Sequence, residues 1–300
     1  MTDLKSQIEL LSRSTKLDNK QIADKLACSE RSVRRYAGEW KERVKVKLTP
    51  QEMSGGERKA FLMYDAHIPY HDERAYNVAV DYARTWDPDE IGIVGDYVDF
   101  KDVSHWKDDP RRMPFTNEVA LIKAHIRALR ETFPDKRIFY IEGNHESRLA
   151  RFLWTKAPEL CGLPELTIPR LLDLEPLGVE YISNVDRMNH NIPPFRLGKL
   201  YLLHGHEINL GSGTVNLART MYLKTHVNVI FGHHHQSQHY IFKKLNSEHE
   251  GSWSVGCLCK LSENYAPMNN WVHGFCTLKY NPITGFFKIR NKMIIGGQVF

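Results

Sequence analysis

No apolar run in the 300-residue chain approaches the length of a membrane span. The opening stretch "MTDLKSQIELLSRS" lacks the uninterrupted apolar core of a secretion signal. Cysteine is scarce: Cys28, Cys161, Cys257, Cys259 and Cys276 are scattered and odd in number, which argues against a disulfide framework. A reducing, cytoplasmic setting is therefore expected, away from any membrane. No internal repeat and no low-complexity segment interrupts the chain. What remains is 42% hydrophobic and 26% charged, an ordinary globular composition, with length for one large domain and a small appendage.

The net charge of +5 is unevenly placed. Of 41 Lys/Arg and 36 Asp/Glu, the first 47 residues hold 12 and 7, so the remainder holds 29 of each and is neutral. A basic head on a neutral body suggests a polyanion-binding appendage. In "LDNKQIADKLACSERSVRRYAGEW", Asp18 offers a helix cap and Ile22 and Leu26 share one face. A second cap, Ser29, leads into Val33, Tyr36 and Trp40. Two short helices around a tight turn, the second carrying Arg31, Arg34 and Arg35, read as a DNA-binding helix-turn-helix over residues 1–47. The plainer reading is a helical hairpin with a solvated basic face. Residues 48–59, with Pro50 and Gly55-Gly56, break the periodicity and read as a linker.

From residue 60 to 300 the pattern alternates. "AFLMY", "EIGIV" and "RIFYIE" read as strands, separated by the amphipathic helices "ERAYNVAVDYARTW" and "NEVALIKAHIRALRETF". "SRLARFLWTKAPEL" is a further helix, and residues 161–194 read as an irregular excursion. "FRLGKLYLLHG" reads as a hairpin, "GTVNLARTMYLKTH" as a helix and "VNVIFG" as a strand. Then come "QHYIFKKL", "SWSVGCLC", "GFCTLKY", "GFFKIR" and "KMIIGG", all strand-like. The order implies an α/β domain with a largely parallel stretch of sheet.

Chemistry collects where strands end. Asp65 and His67 follow the first, Asp96 and Asp99 lie in "GDYVD", Asn144 and His145 in "GNHE", His204 in "HGH", and His233 and His235 in "GHHH". Such clusters are expected to meet on one rim of a sheet, where open α/β sheets bind ligands. If the chain stays extended after Gly232, His233 and His235 point inward and His234 outward; the same spacing puts Asp65 and His67 on one side. Two Asp, one Asn and four His, without a thiolate, suit manganese, iron or zinc better than calcium or magnesium, and suit two such ions sharing a bridging carboxylate; manganese is expected, with iron, zinc or magnesium as the alternatives.

The series DxH, GDxxD, GNHE, HGH and GHxH resembles the calcineurin-like metallophosphoesterase superfamily over about residues 60–235, and its run of strands extends the match to 300. The organisation further resembles bacteriophage-encoded phosphoesterases. The resemblance implies a four-layer α/β/β/α sandwich in which Asp65, His67 and His235 bind one metal and Asn144, His204 and His233 the other. Asp96 bridges the two, so that a metal-bound hydroxide attacks phosphorus. It further implies that His145 protonates the leaving group or stabilises the transition state, oriented by Asp99; a carboxylate partner would help a histidine beside two cations keep its proton. For Asp99 a helix or turn cap is the competing reading. His71, His105, His206 and His234 read as surface or outer-shell groups, Arg148 as helix decoration that could reach a phosphate, and Cys257 and Cys259 as buried structural thiols. "ENYAPMNNW", residues 263–271, is either a packed loop or an aromatic wall for a base.

"GDYVD" and "GNHESR" also look like the Ser/Thr protein phosphatase branch, but its arginine after "GDYVD" and its glycine after DxH are here Phe100 and Ile68. With the nuclease branch sharing the motif order and a basic head present, a phosphodiesterase acting on DNA is expected, ahead of a phosphomonoesterase. The third reading, a DNA-binding regulator with an inactive body, predicts lost ligands, and none is missing.

Overall fold

The computed structural model describes residues 4, 7–8, 11, 18–34, 56–105, 113–246, 248–262 and 268–300. Two compact units divide the chain, Met1–Ser54 and Gly55–Phe300. In the first, helix Asn19–Lys25 starts at a capping box: Asp18 accepts from the Gln21 backbone at 2.8 Å and the Gln21 side chain accepts from the Asp18 backbone at 2.9 Å. Left-handed Ala27 turns the chain, and Ser29 caps helical residues 30–34 by accepting from Ser32 N at 3.1 Å. Ile8, Ile22, Ala23 and Val33 form a small core, with Leu11, Leu26 and Cys28 against it. Arg31 and Arg34 are exposed, and Arg34 pairs with Glu30. Arg35, Tyr36, Trp40 and linker residues 48–55 lie outside the described residues.

Two sheets make up the second unit. The first contains β1 (Arg58–Met63), β2 (Glu90–Val94), β3 (Arg137–Ile141), β4 (Val179–Ile182), β10 (Gly274–Tyr280), β11 (Phe287–Ile295) and β12 (Gln298–Val299) in the order β12-β11-β10-β1-β2-β3-β4. β1 to β4 run parallel, while β10 and β11 add antiparallel. The second contains β5 (Arg196–Leu197), β6 (Leu200–Leu202), β7 (Val229–Phe231), β8 (Gln238–Lys243) and β9 (His249–Ser254) in the order β5-β6-β7-β9-β8. Its centre, β6-β7-β9, is parallel.

Strand alternation sorts the core into layers. Phe61, Met63, Ile91, Ile93, Ile138 and Tyr140 face the helices Glu73–Trp86, Phe115–Thr132 and Ser147–Lys156. Ala60, Leu62, Val94, Phe139 and Ile141 face Leu200, Leu202 and Ile230 of the other sheet. On the far side, Val229 and Phe231 pack on Leu217 and Met221 of helix Leu217–Thr225. The result is a four-layer α/β/β/α sandwich. Central strands covered on both faces read as unbroken apolar runs, which is why their sequences do not alternate.

Three local readings change. The excursion at residues 161–194 contains β4, a fourth parallel strand at the sheet edge. "GFFKIR" and "KMIIGG" are one strand, because Asn291 and Lys292 keep pairing with Cys276 and Phe275. "SWSVGCLC" leaves the sheet after Ser254, and Cys257 and Cys259 make isolated bridges instead. Among the described residues no helix is long and apolar enough to cross a membrane.

Candidate metal centre

Five turns bring the expected residues together, but from two rims. Asp65, His67, Asp96 and Asn144 follow β1, β2 and β3 of the first sheet; His204, His233 and His235 follow β6 and β7 of the second. The expectation of a single sheet rim is corrected: strand ends can be read from sequence, but sheet membership depends on pairings made far along the chain. Asp96 Oδ2 lies 3.8 Å from His67 Nε2 and 3.1 Å from His204 Nε2, so one carboxylate faces both halves. On one side, Asp65 Oδ1 is 3.4 Å from His235 Nε2 and 3.9 Å from His67 Nε2. On the other, His204 Nε2 is 3.2 Å from Asn144 Oδ1, and His233 shares a ligand-sized group with Asp96 and His204.

The reason given for alternating histidines is also corrected. The chain after Gly232 is not extended: His233 and His235 have φ of 68° and 58°. Asp65 (51°), His67 (50°) and Asp96 (48°) are left-handed as well. Side chains other than glycine rarely adopt this backbone, at a cost of about 1–3 kcal/mol each, and Asp and His are among those that tolerate it. Hydrogen bonds from backbone N–H groups hold the shape. His67 N donates to Asp96 O at 2.9 Å, His233 N to Asp65 Oδ2 at 2.9 Å, and Val272 N to His235 O at 2.9 Å. Gly232 serves close approach rather than turning, since a Cβ there would lie 2.5 Å from Asp65 Oδ2. At Gly143 a side chain would collide with Asp96.

Asp65 Oδ1 and His67 Nε2 are buried and make no hydrogen bond. Orphaned polar atoms of this kind are costly unless something fills the site, and carboxylates grouped with imidazoles suit a divalent cation. The residues present therefore fit bound metal ions. Burial alone would raise the Asp96 carboxyl, yet His145 and His204 hold it well below the usual carboxylate range. His233 is pulled down to about 3, chiefly by burial.

Burial also acts to lower His204 and His235, but Asp96 and Asp65 push the first, and Asp65 the second, up to about 10. Ligand nitrogens must lose their protons before a cation binds. Below about pH 10 the metal-free site thus carries protons that the loaded site cannot. Metal affinity is expected to climb as pH rises, by up to about a hundredfold per pH unit if both protons leave. Chelator competition at several pH values measures this, and a flat profile would contradict it. By the same sign, these groups stabilise the metal-free fold below the ordinary histidine range, and that support fades as the pH climbs through about 10.

His145 and Asp99 are beside the cluster. Asp99 Oδ1 is 3.2 Å from His145 Nδ1 and 3.1 Å from His67 Nδ1, so it orients two rings and is not a turn cap. Burial lowers the His145 pKa, against the opposing pull of Asp96 and Asp99. Its Nε2 lies 2.8 Å from Arg148 Nη2; a guanidinium only donates, so that nitrogen accepts. Arg148 is turned into the site and does not decorate its helix.

Other contributors carry no motif of their own. Glu146 is fully buried and accepts from Asp96 N at 3.1 Å, Tyr97 N at 3.0 Å and Gly143 N at 2.7 Å, tying two of the turns together. Burial, then the Asp96 charge, pushes its carboxyl up. Glu207 accepts from His204 N and Gly205 N. Cys259 Sγ is 3.7 Å from His235 Nδ1, so this thiol touches a ligand ring instead of packing passively. Glu146 was legible only as the last letter of "GNHE", and Cys259 only as half of the closely spaced pair Cys257 and Cys259. His206 lies against His204 and His233, His71 packs on His125, His234 lies against Phe231, and His105 is exposed. Residues 263–267 of the suggested aromatic wall lie outside the described residues, while the Trp271 ring is 4.3 Å from that of His235.

Fold and site together define a four-layer α/β sandwich whose clustered aspartates and histidines can bind metal ions. No protein-family model matches the chain. It is similar to the Gene 54 protein of Mycobacterium phage L5, 24% identical over 234 residues that cover 74% of this chain and 88% of that one. Among solved structures, Vacuolar Protein Sorting 29 from Cryptosporidium parvum aligns over 81% of this chain and 95% of its own, at 13% identity and a TM-score of 0.44. Vps29 of Chaetomium thermophilum aligns over the same shares at 11% identity and a TM-score of 0.37.

Proposed function

We propose that the protein is a metal-dependent phosphodiesterase of the calcineurin-like metallophosphoesterase type, acting on DNA, with two divalent ions, manganese foremost, as cofactors. One observation carries this reading: seven potential ligands from five strand ends converge, and two of their atoms, Asp65 Oδ1 and His67 Nε2, are buried without a hydrogen bond. Bound there, divalent ions acidify water and neutralise charge on a phosphate. The chain supplies the rest. Asp96 presents one carboxylate to both halves of the site, and Glu146 holds its turn. His145, with Nδ1 on Asp99, is set to exchange a proton with the leaving oxygen at Nε2 once Arg148 releases that nitrogen. The similarity to a phage protein agrees with the phage-type resemblance.

A diester is favoured over a monoester because no arginine follows "GDYVD". Phe100 occupies that position and is buried, its backbone N–H on Glu118. DNA as substrate is supported by the basic first 47 residues and by the exposed Arg31 and Arg34. Protein supplied with manganese is expected to hydrolyse bis(p-nitrophenyl) phosphate in preference to p-nitrophenyl phosphate, and a strong monoester preference would favour a phosphatase. Removing residues 1–47 is expected to weaken DNA binding and flatten its salt dependence while sparing the small diester. Loss of small-ester turnover with the head would contradict the division of labour.

A further inference from the structure

The sequence lacks the arginine that would clamp a phosphate from the "GDYVD" turn, yet a guanidinium reaches the same neighbourhood from another element. Arg148 sits in the first turn of helix Ser147–Lys156. Its Nη1 donates to Asp99 O at 2.6 Å and its Nη2 to His145 Nε2 at 2.8 Å. Its side chain is 18% exposed, so it is held by protein on one edge and open on another. His145 Nε2 is in turn 3.6 Å from Asp96 Oδ2, which puts the guanidinium one ring away from the carboxylate shared by both halves of the cluster.

We propose that Arg148 is the residue that contacts the anionic phosphoryl oxygen of the substrate, in place of the clamp absent at Phe100. This rests on the phosphoesterase reading above and assigns its anion contact. Two of the five N–H groups of the guanidinium are spent on Asp99 and His145, which leaves a planar edge for one charged oxygen. The Nη2 that now rests on His145 Nε2 can transfer to that oxygen, and doing so frees the imidazole nitrogen to face the leaving group. Phe100 cannot assist, being wholly buried with left-handed backbone.

The test measures binding separately from turnover. Inorganic phosphate is titrated into manganese-loaded full-length protein, alongside metal content and thermal stability, for the wild type, Arg148→Gln and Arg148→Lys. Glutamine is expected to weaken phosphate binding about ten- to a hundredfold, the scale of a lost charge-assisted hydrogen bond, with metal content unchanged. Lysine keeps the charge without the planar fork and should fall between. For the diester, KM should rise in Arg148→Gln by a similar factor. Phosphate binding unchanged in Arg148→Gln would overturn the assignment while leaving the enzyme reading intact. Loss of metal in parallel with phosphate in both variants would likewise overturn it, since Arg148 would then only brace the turn. A metal-loaded wild type that neither binds phosphate nor hydrolyses either ester would bring down the enzyme reading, and this assignment with it.

Discussion

Asp96→Ala protein is expected to lose its bound metal and, with it, essentially all ester hydrolysis. Asp96 lies between the two halves of the cluster, 3.8 Å from His67 Nε2 and 3.1 Å from His204 Nε2. Removing a mere outer partner of a metal ligand typically costs about 10- to 100-fold in affinity, so deleting the shared carboxylate should cost more. Its removal would also leave His67, His145 and His204 grouped in a buried site without their common anion. Elemental analysis after gel filtration reads the metal directly. Retention of two ions per chain by the variant would show that Asp96 is not the shared ligand.

His145→Ala should behave differently: turnover falls by about 10²- to 10⁴-fold, the usual worth of a general acid or base, while metal content stays at the wild-type level. The reason is local. The contact that orients Asp96 is made by the backbone N–H of residue 145, at 2.9 Å from Asp96 Oδ1, and alanine keeps it. The imidazole bonds Asp99 and Arg148; against the grouped ligands it makes only a longer 3.6 Å approach to Asp96 Oδ2 and an edge contact with the His67 ring. Equal metal loss in Asp96→Ala and His145→Ala would erase the distinction between ligand and proton carrier.

Much of this arrangement was legible in the sequence, because a strand that ends in a polar cluster announces itself twice, by its apolar run and by the glycine that follows. Helix Glu73–Trp86 and strands β2 and β10 lie where periodicity places them. What escaped was anything set by pairings remote in sequence. β4 is short, with its burial interrupted, inside a Pro- and Leu-rich stretch, so it offers too few alternations to read. The meeting of two sheet rims depends on how the layers stack, which no local pattern records. Glu146 bonds backbone N–H groups about 50 residues earlier, a role without periodicity. His233 and His235 do face the cluster, but through left-handed backbone where an extended strand was expected.

The origin of the ligands on two sheets has a consequence for the order of events in folding. Asp65 and His204 are separated by well over a hundred residues, so closing that loop is entropically unfavourable until both sheets exist and have stacked. The cluster is therefore a poor folding nucleus. A cation bound there would act as a clasp across a seam that the apolar layers close.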